Sequence, residues 1–143
     1  MALLLIVISC SSLPTSETKK DNIHYKETAL ELYSKALLLK NEKKYTEAEK
    51  NLLRALNIRQ LLKDSFAIAL TYSDLGVAMN GKGDYIKATS YLQMSNKLAE
   101  TLQYVELQSN NYSELASVAQ RKGQYQEAYE YYLKRSYLRD SLY

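Results

Sequence analysis

Tyr45, Tyr85 and Tyr125 stand 40 residues apart, and each is followed three residues later by alanine, at Ala48, Ala88 and Ala128. The segments in phase read NEKKYTEAEKNLLRAL, GKGDYIKATSYLQMSN and RKGQYQEAYEYYLKRS. A polar, turn-prone tetrad precedes each Tyr-x-x-Ala, and a large residue follows four positions after the alanine, at Leu52, Leu92 and Tyr132. Three copies without drift mark an internal repeat, and a period in this range points to stacked repetition of one supersecondary unit. Such a unit buries its apolar side only against a neighbour. The repeat therefore constrains the architecture and favours a binding surface over a catalyst.

The unit reads as helical. One proline and four glycines in 143 residues leave little material for hairpin turns, whereas Leu, Ala, Lys, Glu and Gln are abundant. Across residues 25–39 apolar residues fall at Ala29, Leu32, Tyr33, Ala36 and Leu39, the spacing of an amphipathic helix. Asn41-Glu42-Lys43-Lys44 interrupts it, and the pattern resumes over 45–61. The second repeat predicts helices near 65–80 and 84–101. Gly81 and Gly83 fall in its turn, where an αL residue ends the first helix, and Asp84 caps the next. The third predicts helices near 105–121 and 124–142, with Gly123 between them.

Small residues recur where two helices of a hairpin must approach closely: Ala36, Gly76 and Ala116 on the first helices, Ala48, Ala88 and Ala128 on the second. Tyr45, Tyr72, Tyr85, Tyr112 and Tyr125 recur beside those contacts and are expected in the core. Tyr91, Tyr129 and Tyr131 fall off the repeated positions and are expected at the outer face.

This arrangement resembles the tetratricopeptide repeat. The matching residues are Leu32, Lys35, Ala36, Leu39, Tyr45, Ala48, Leu52 and Ala55 in the first repeat, and Tyr72, Leu75, Gly76, Met79, Tyr85, Ala88, Leu92 and Ser95 in the second. In the third they are Tyr112, Leu115, Ala116, Ala119, Tyr125, Ala128, Tyr132 and Arg135. Lys35 and Arg135 depart from the apolar or small norm, and the period of 40 departs from the usual one of about 34. The excess is close to one extra turn per helix, which keeps each buried stripe nearly in phase. The resemblance implies an all-α fold, a right-handed α-solenoid of three antiparallel helix pairs over 23–143, with repeats near 25–62, 65–102 and 105–142. Long repeats of this kind are similar to those of bacterial sensory and regulatory proteins that carry a kinase or DNA-binding output domain.

The same resemblance implies a concave groove lined by the first helix of each pair. Carried over, its residues are Tyr33, Leu37 and Lys40, then Ser73, Val77 and Asn80, then Ser113, Ser117 and Gln120. A protein or peptide ligand is expected there, with the amides of Asn80 and Gln120 offering donor and acceptor to its backbone. The Lys/Asn/Arg set that clamps a C-terminal carboxylate in some relatives is missing. The plainer reading makes these nine residues the solvent-facing side of a scaffold.

The N-terminus is a different kind of sequence. Residues 2–8 are apolar, too few to span a bilayer and about right for the apolar region of a secretory signal. Val7-Ile8-Ser9-Cys10 resembles a bacterial lipobox. That implies cleavage after residues 1–9, diacylglyceryl transfer to the Cys10 thiol, and a membrane-anchored lipoprotein of the cell envelope. No Lys or Arg follows Met1, a departure from the positive start of such signals. Residues 10–22, rich in Ser, Thr and Lys, read as a flexible tether.

The inventory for chemistry is thin. His24 is the single histidine and Cys10 the single cysteine, so a zinc set built from Cys and His ligands cannot form within the chain. Gly81-Lys82-Gly83-Asp84 is too short for a phosphate loop. No catalytic, cofactor-binding or metal site is expected. A net charge of +3 with interspersed signs gives no basic stripe for nucleic acid. Leu133, Tyr137 and Leu138 form an apolar strip on the last helix, with Tyr132 turned inward, which predicts that more protein meets it, either a continuation of the chain or a second copy in a homodimer through that helix. The leading expectation is a non-enzymatic binding module anchored by lipid. The alternatives are the sensory region of a signalling protein and an intracellular scaffold.

Overall fold

A computed structural model describes residues 16–141. The signal-like segment and Cys10 lie outside them. Six α-helices follow one another: α1 (Ser16–Asn41), α2 (Tyr45–Leu61), α3 (Ser65–Lys82), α4 (Tyr85–Thr101), α5 (Val105–Arg121) and α6 (Tyr125–Asp140). Residues 16–22, expected as tether, are the first turns of α1 instead. Those of them whose exposure is described, 17–22, are all exposed, so backbone propagation from the packed part of the helix carries them and tertiary contact does not.

The helices pair as α1–α2, α3–α4 and α5–α6, and α2 then packs on α3 and α4 on α5. Further, α1 touches α3 and α3 touches α5, whereas α2 does not reach α4, nor α4 α6. The odd helices therefore crowd together on the inner side of a helical-repeat solenoid and the even helices fan out on the outer side.

A finer period underlies the 40-residue repeat. Helices α2 to α6 begin at 45, 65, 85, 105 and 125, and a positive φ occurs at Lys43, Lys63, Gly83, Gln103 and Gly123, 20 residues apart throughout. Each of these five residues bonds its N–H three residues back and the next N–H reaches five back, as in Gly83 to the Asn80 carbonyl (3.1 Å) and Asp84 to that of Met79 (2.9 Å). This is the Schellman ending, which satisfies the last carbonyls of a helix. Turns within and between repeats are thus one motif. Asp64 and Asp84 also cap the following helices, accepting from the N–H groups of Ala67 and Lys87 at 3.1 and 3.2 Å.

Gly81, expected in the turn, is the penultimate residue of α3. A Cβ there would lie 2.5 Å from the Tyr45 ring, so this glycine admits a neighbour while Gly83 (φ 87°) supplies the αL conformation.

The core is a chain of small clusters: Ala36, Leu52, Leu56 and Leu75, then Ala78, Met79, Ala88, Leu92, Leu115 and Val118, with Ala69, Ala99 and Leu107 alongside. The expectations for four tyrosines are corrected. Tyr125 is 72% exposed, because this tyrosine packs forward on the next repeat: Tyr45 lies on Gly81, and Arg121 sits 5.4 Å above the Tyr85 ring. Tyr91 and Tyr131 are half-buried, since each stacks on the tyrosine across its hairpin, Tyr72 and Tyr112, at 6.1 Å. Tyr132, expected inward, is exposed like Tyr125 because Leu52 and Leu92 at its position are buried by the helix that follows them.

Candidate functional site

The nine sequence-predicted groove residues occupy the first helices, at i, i+4 and i+7 on α1, α3 and α5, so each trio shares one helix face. Leu37 and Val77 are half-buried apolar side chains, and Ser73, Ser113 and Ser117 are half-buried hydroxyls. Gln120 is exposed and accepts from the Tyr132 hydroxyl at 3.2 Å.

The inner face is tied together by bonds whose acceptors the sequence reading passed over. The Lys40 ammonium and the Tyr33 hydroxyl both donate to the Asp74 carboxylate, each at 2.5 Å, joining α1 to α3. One repeat on, the Asn80 amide donates to the Ser117 hydroxyl at 3.2 Å and to the Glu114 carboxylate at 3.4 Å, joining α3 to α5. The offset from 40 to 74 and from 80 to 114 is the same, so one bracing position recurs with different chemistry. Burial first, and then the Asp74 carboxylate, push the Tyr33 hydroxyl far above the ordinary tyrosine pKa.

Asn80 was expected to face a ligand, but it is 6% exposed, and Arg121 donates to both its side-chain and main-chain oxygens. Its amide is spent inside the fold. Ser73 likewise donates to Asn111 (2.7 Å), and the Asn111 amide donates to Ser95 (2.8 Å), which itself donates to the Ala69 carbonyl (2.8 Å). The ends of Lys40 and Asn80 therefore brace neighbouring helices, leaving Leu37, Val77, Ser113 and Gln120 as the groove positions whose side chains make no bond between the inner helices.

Beneath this face, Arg59 lies 4.1 Å over the Tyr33 ring and donates to Thr71 (2.5 Å) and the Ala67 carbonyl (3.1 Å). It clamps α2 to the start of α3. Among the described residues no group of three or more His, Cys, Asp or Glu side chains converges. What this arrangement offers is an open, charge-compensated surface with an apolar centre.

The tetratricopeptide repeat profile matches residues 27–101, which is 75 of the 143 residues, and the chain belongs to that family. Among solved structures it is similar to the crystal structure of the TPR domain of Arabidopsis FLU, at a TM-score of 0.76 and 17% identity. The match covers 82% of this chain and 98% of that one, and at this identity it speaks for the fold. No curated protein sequence gives a significant match. The family is one of protein-interaction modules.

Proposed function

We propose that the protein is a non-enzymatic module that holds a protein segment against the inner face of α1, α3 and α5. The observation that carries this reading is the pairing of Leu37 and Val77, half-buried apolar positions one repeat apart, within a frame of polar side chains already bonded to one another. With Lys40 neutralised by Asp74, the frame offers no net charge there. It suits a neutral, apolar-anchored segment whose backbone meets Ser113 and Gln120.

Val77→Arg tests this. The side chain is half-exposed, so the fold tolerates it within about 1 kcal/mol, while a charge enters the centre of the groove. A partner that copurifies with the wild-type chain from its native cells should be lost from this variant while its melting temperature stays within about 5 °C of wild type. Equal recovery with both chains refutes the groove.

The setting belongs to the same reading: a cell-envelope lipoprotein anchored through Cys10. It is supported by the Val7-Ile8-Ser9-Cys10 tetrad after an apolar run. Two or more acyl chains give firm attachment where one does not. Cys10→Ala should move the protein from the detergent phase to the aqueous phase, and unchanged partitioning removes the anchor.

A further inference from the structure

The two ends of the solenoid carry opposite charges at the positions that form its internal junctions. At the first junction, Leu52, Leu56 and Arg59 of α2 meet Ala67, Ile68, Thr71 and Leu75 of α3, and at the second, Leu92, Ser95 and Ala99 of α4 meet Leu107, Gln108, Asn111 and Leu115 of α5. Every one of these fourteen side chains is buried or half-buried, and Arg59 is the sole charge among them. Stepping 40 residues along puts Tyr132, Arg135, Ser136 and Arg139 on the corresponding face of α6, where together with Asp140 they line a hollow of about 390 Å³, two cations against one acid. Stepping 40 residues back puts Glu27, Thr28, Glu31 and Lys35 on the corresponding face of α1.

Among the described residues, Glu27, Glu31, Arg135 and Arg139 make no ion pair or side-chain hydrogen bond with one another or with any neighbour. Glu27, Glu31 and Arg139 are exposed and Arg135 half-exposed.

We propose that a second copy of this chain docks head-to-tail, its α1 seated on α6 as α3 sits on α2 and α5 on α4. Carrying the second-junction contacts one repeat along and the first-junction contacts two, with positions beyond α6 read as those 120 residues earlier in the second copy, gives the pairing. The Asn111–Ser95 bond (2.8 Å) becomes Glu31 of one copy against Arg135 of the other. The Arg59 contacts with Thr71 and the Ala67 carbonyl become Arg139 against Glu31 and the Glu27 segment. Arg139 occupies the position from which Arg59 already clamps a helix start. Lys35 takes the place of Leu75 and Leu115, over the Tyr132 ring that replaces Leu52 and Leu92. Tyr125, 72% exposed, is covered as Tyr45 is covered by α3.

A polar end alone is what any solenoid needs to stay soluble. Two ends of opposite sign in the register of the internal junction go beyond that need. Such a contact is heterologous and does not close on itself, so it builds open chains of copies. It also differs from a two-fold pairing through Leu133, Tyr137 and Leu138, which lie beside Tyr112 and Lys134 around a separate hollow.

The test is sedimentation velocity of the full chain carrying Cys10→Ser, as wild type, as R135E/R139E, as E27R/E31R, and as an equimolar mixture of the two variants. Wild type should show a mass rising with concentration and falling with salt. Each variant alone should lose that association, because like charges then face each other. The mixture should regain it, since the reversed tail of one variant suits the reversed head of the other. A wild-type chain that stays monomeric, association that persists in both variants alone, or a mixture that fails to reassemble while both variants keep wild-type circular dichroism overturns the proposal. Persistence would assign the contact to the apolar strip or the apolar N-terminus instead.

Discussion

Gly76 is the position where the packing of a hairpin can be weighed most closely. A Cβ added there would stand 2.5 Å from Cγ and 2.7 Å from Cδ2 of Leu92, and 3.3 Å from the Ala88 carbonyl oxygen. Carbon atoms rest about 3.5–4.0 Å apart, so α3 and α4 would have to part by about 1 Å or Leu92 leave its rotamer. Leu92 is fully buried. Overpacking of this kind costs about 1–3 kcal/mol, while alanine in place of a mid-helix glycine returns about 1 kcal/mol. Gly76→Ala should therefore destabilise by about 1 kcal/mol net, lowering the melting temperature by about 3–5 °C for a chain of this length. Urea unfolding followed by far-UV circular dichroism measures it. The companion Leu92→Ala alone should cost about 2–5 kcal/mol. The double variant should cost at least 0.5 kcal/mol less than the sum (~0.5, the threshold of coupling between contacting residues), because the new methyl enters the space that Leu92 vacated. A Gly76→Ala chain that gains stability, or a cycle that is additive, would refute the close approach of α3 and α4.

Asp74→Ala should cost about 1–3 kcal/mol, since it strands the Tyr33 hydroxyl and the Lys40 ammonium on a part-buried face; Asp74→Asn, which can still accept from Tyr33, should cost less by the same urea assay. Gln103→Gly should stabilise by about 0.5–1 kcal/mol by relieving a non-glycine αL residue, and Gly83→Ala should destabilise by about 1–2 kcal/mol; effects of the opposite sign would disprove the shared turn. The Tyr33 pKa is raised on folding, so its contribution is fully present below the unfolded value of about 10 and is lost as pH rises through the folded value. From about pH 10 upward, urea midpoints should thus fall more steeply in wild type than in Tyr33→Phe, and parallel curves would rule out the burial assigned to this ring.

The repeat register, the six helices and the small residues at Gly76 and Ala88 were legible because each rests on periodicity, which survives in one sequence. The shared turn was not. Gly83 and Gly123 announce it, but Lys43, Lys63 and Gln103 adopt the same left-handed conformation without a turn-forming side chain. Tyr125 shows a second limit: the spacing says that this tyrosine packs, but not that it packs on the following repeat. Nothing in the repeat pattern singles out Asp74 or Glu114, and only the approach of α1 to α3 and of α3 to α5 makes them acceptors for Lys40, Tyr33 and Asn80. The groove positions came from resemblance, which locates a face but not which of its side chains are already engaged, and so Asn80 was expected to be available when Arg121 holds it.

Site-specific photo-crosslinking tests the central claim, that a protein segment is held on the inner face, most directly. A photoreactive amino acid placed in turn at Leu37, Val77 and Ser117, down one column of α1, α3 and α5, and at Ile86, 85% exposed at the start of α4, samples both sides of the solenoid. On irradiation in the native cells, the three inner positions should give adducts of the same mass increment while position 86 gives none. Adducts from position 86 alone, or from none of the inner three, would contradict the account.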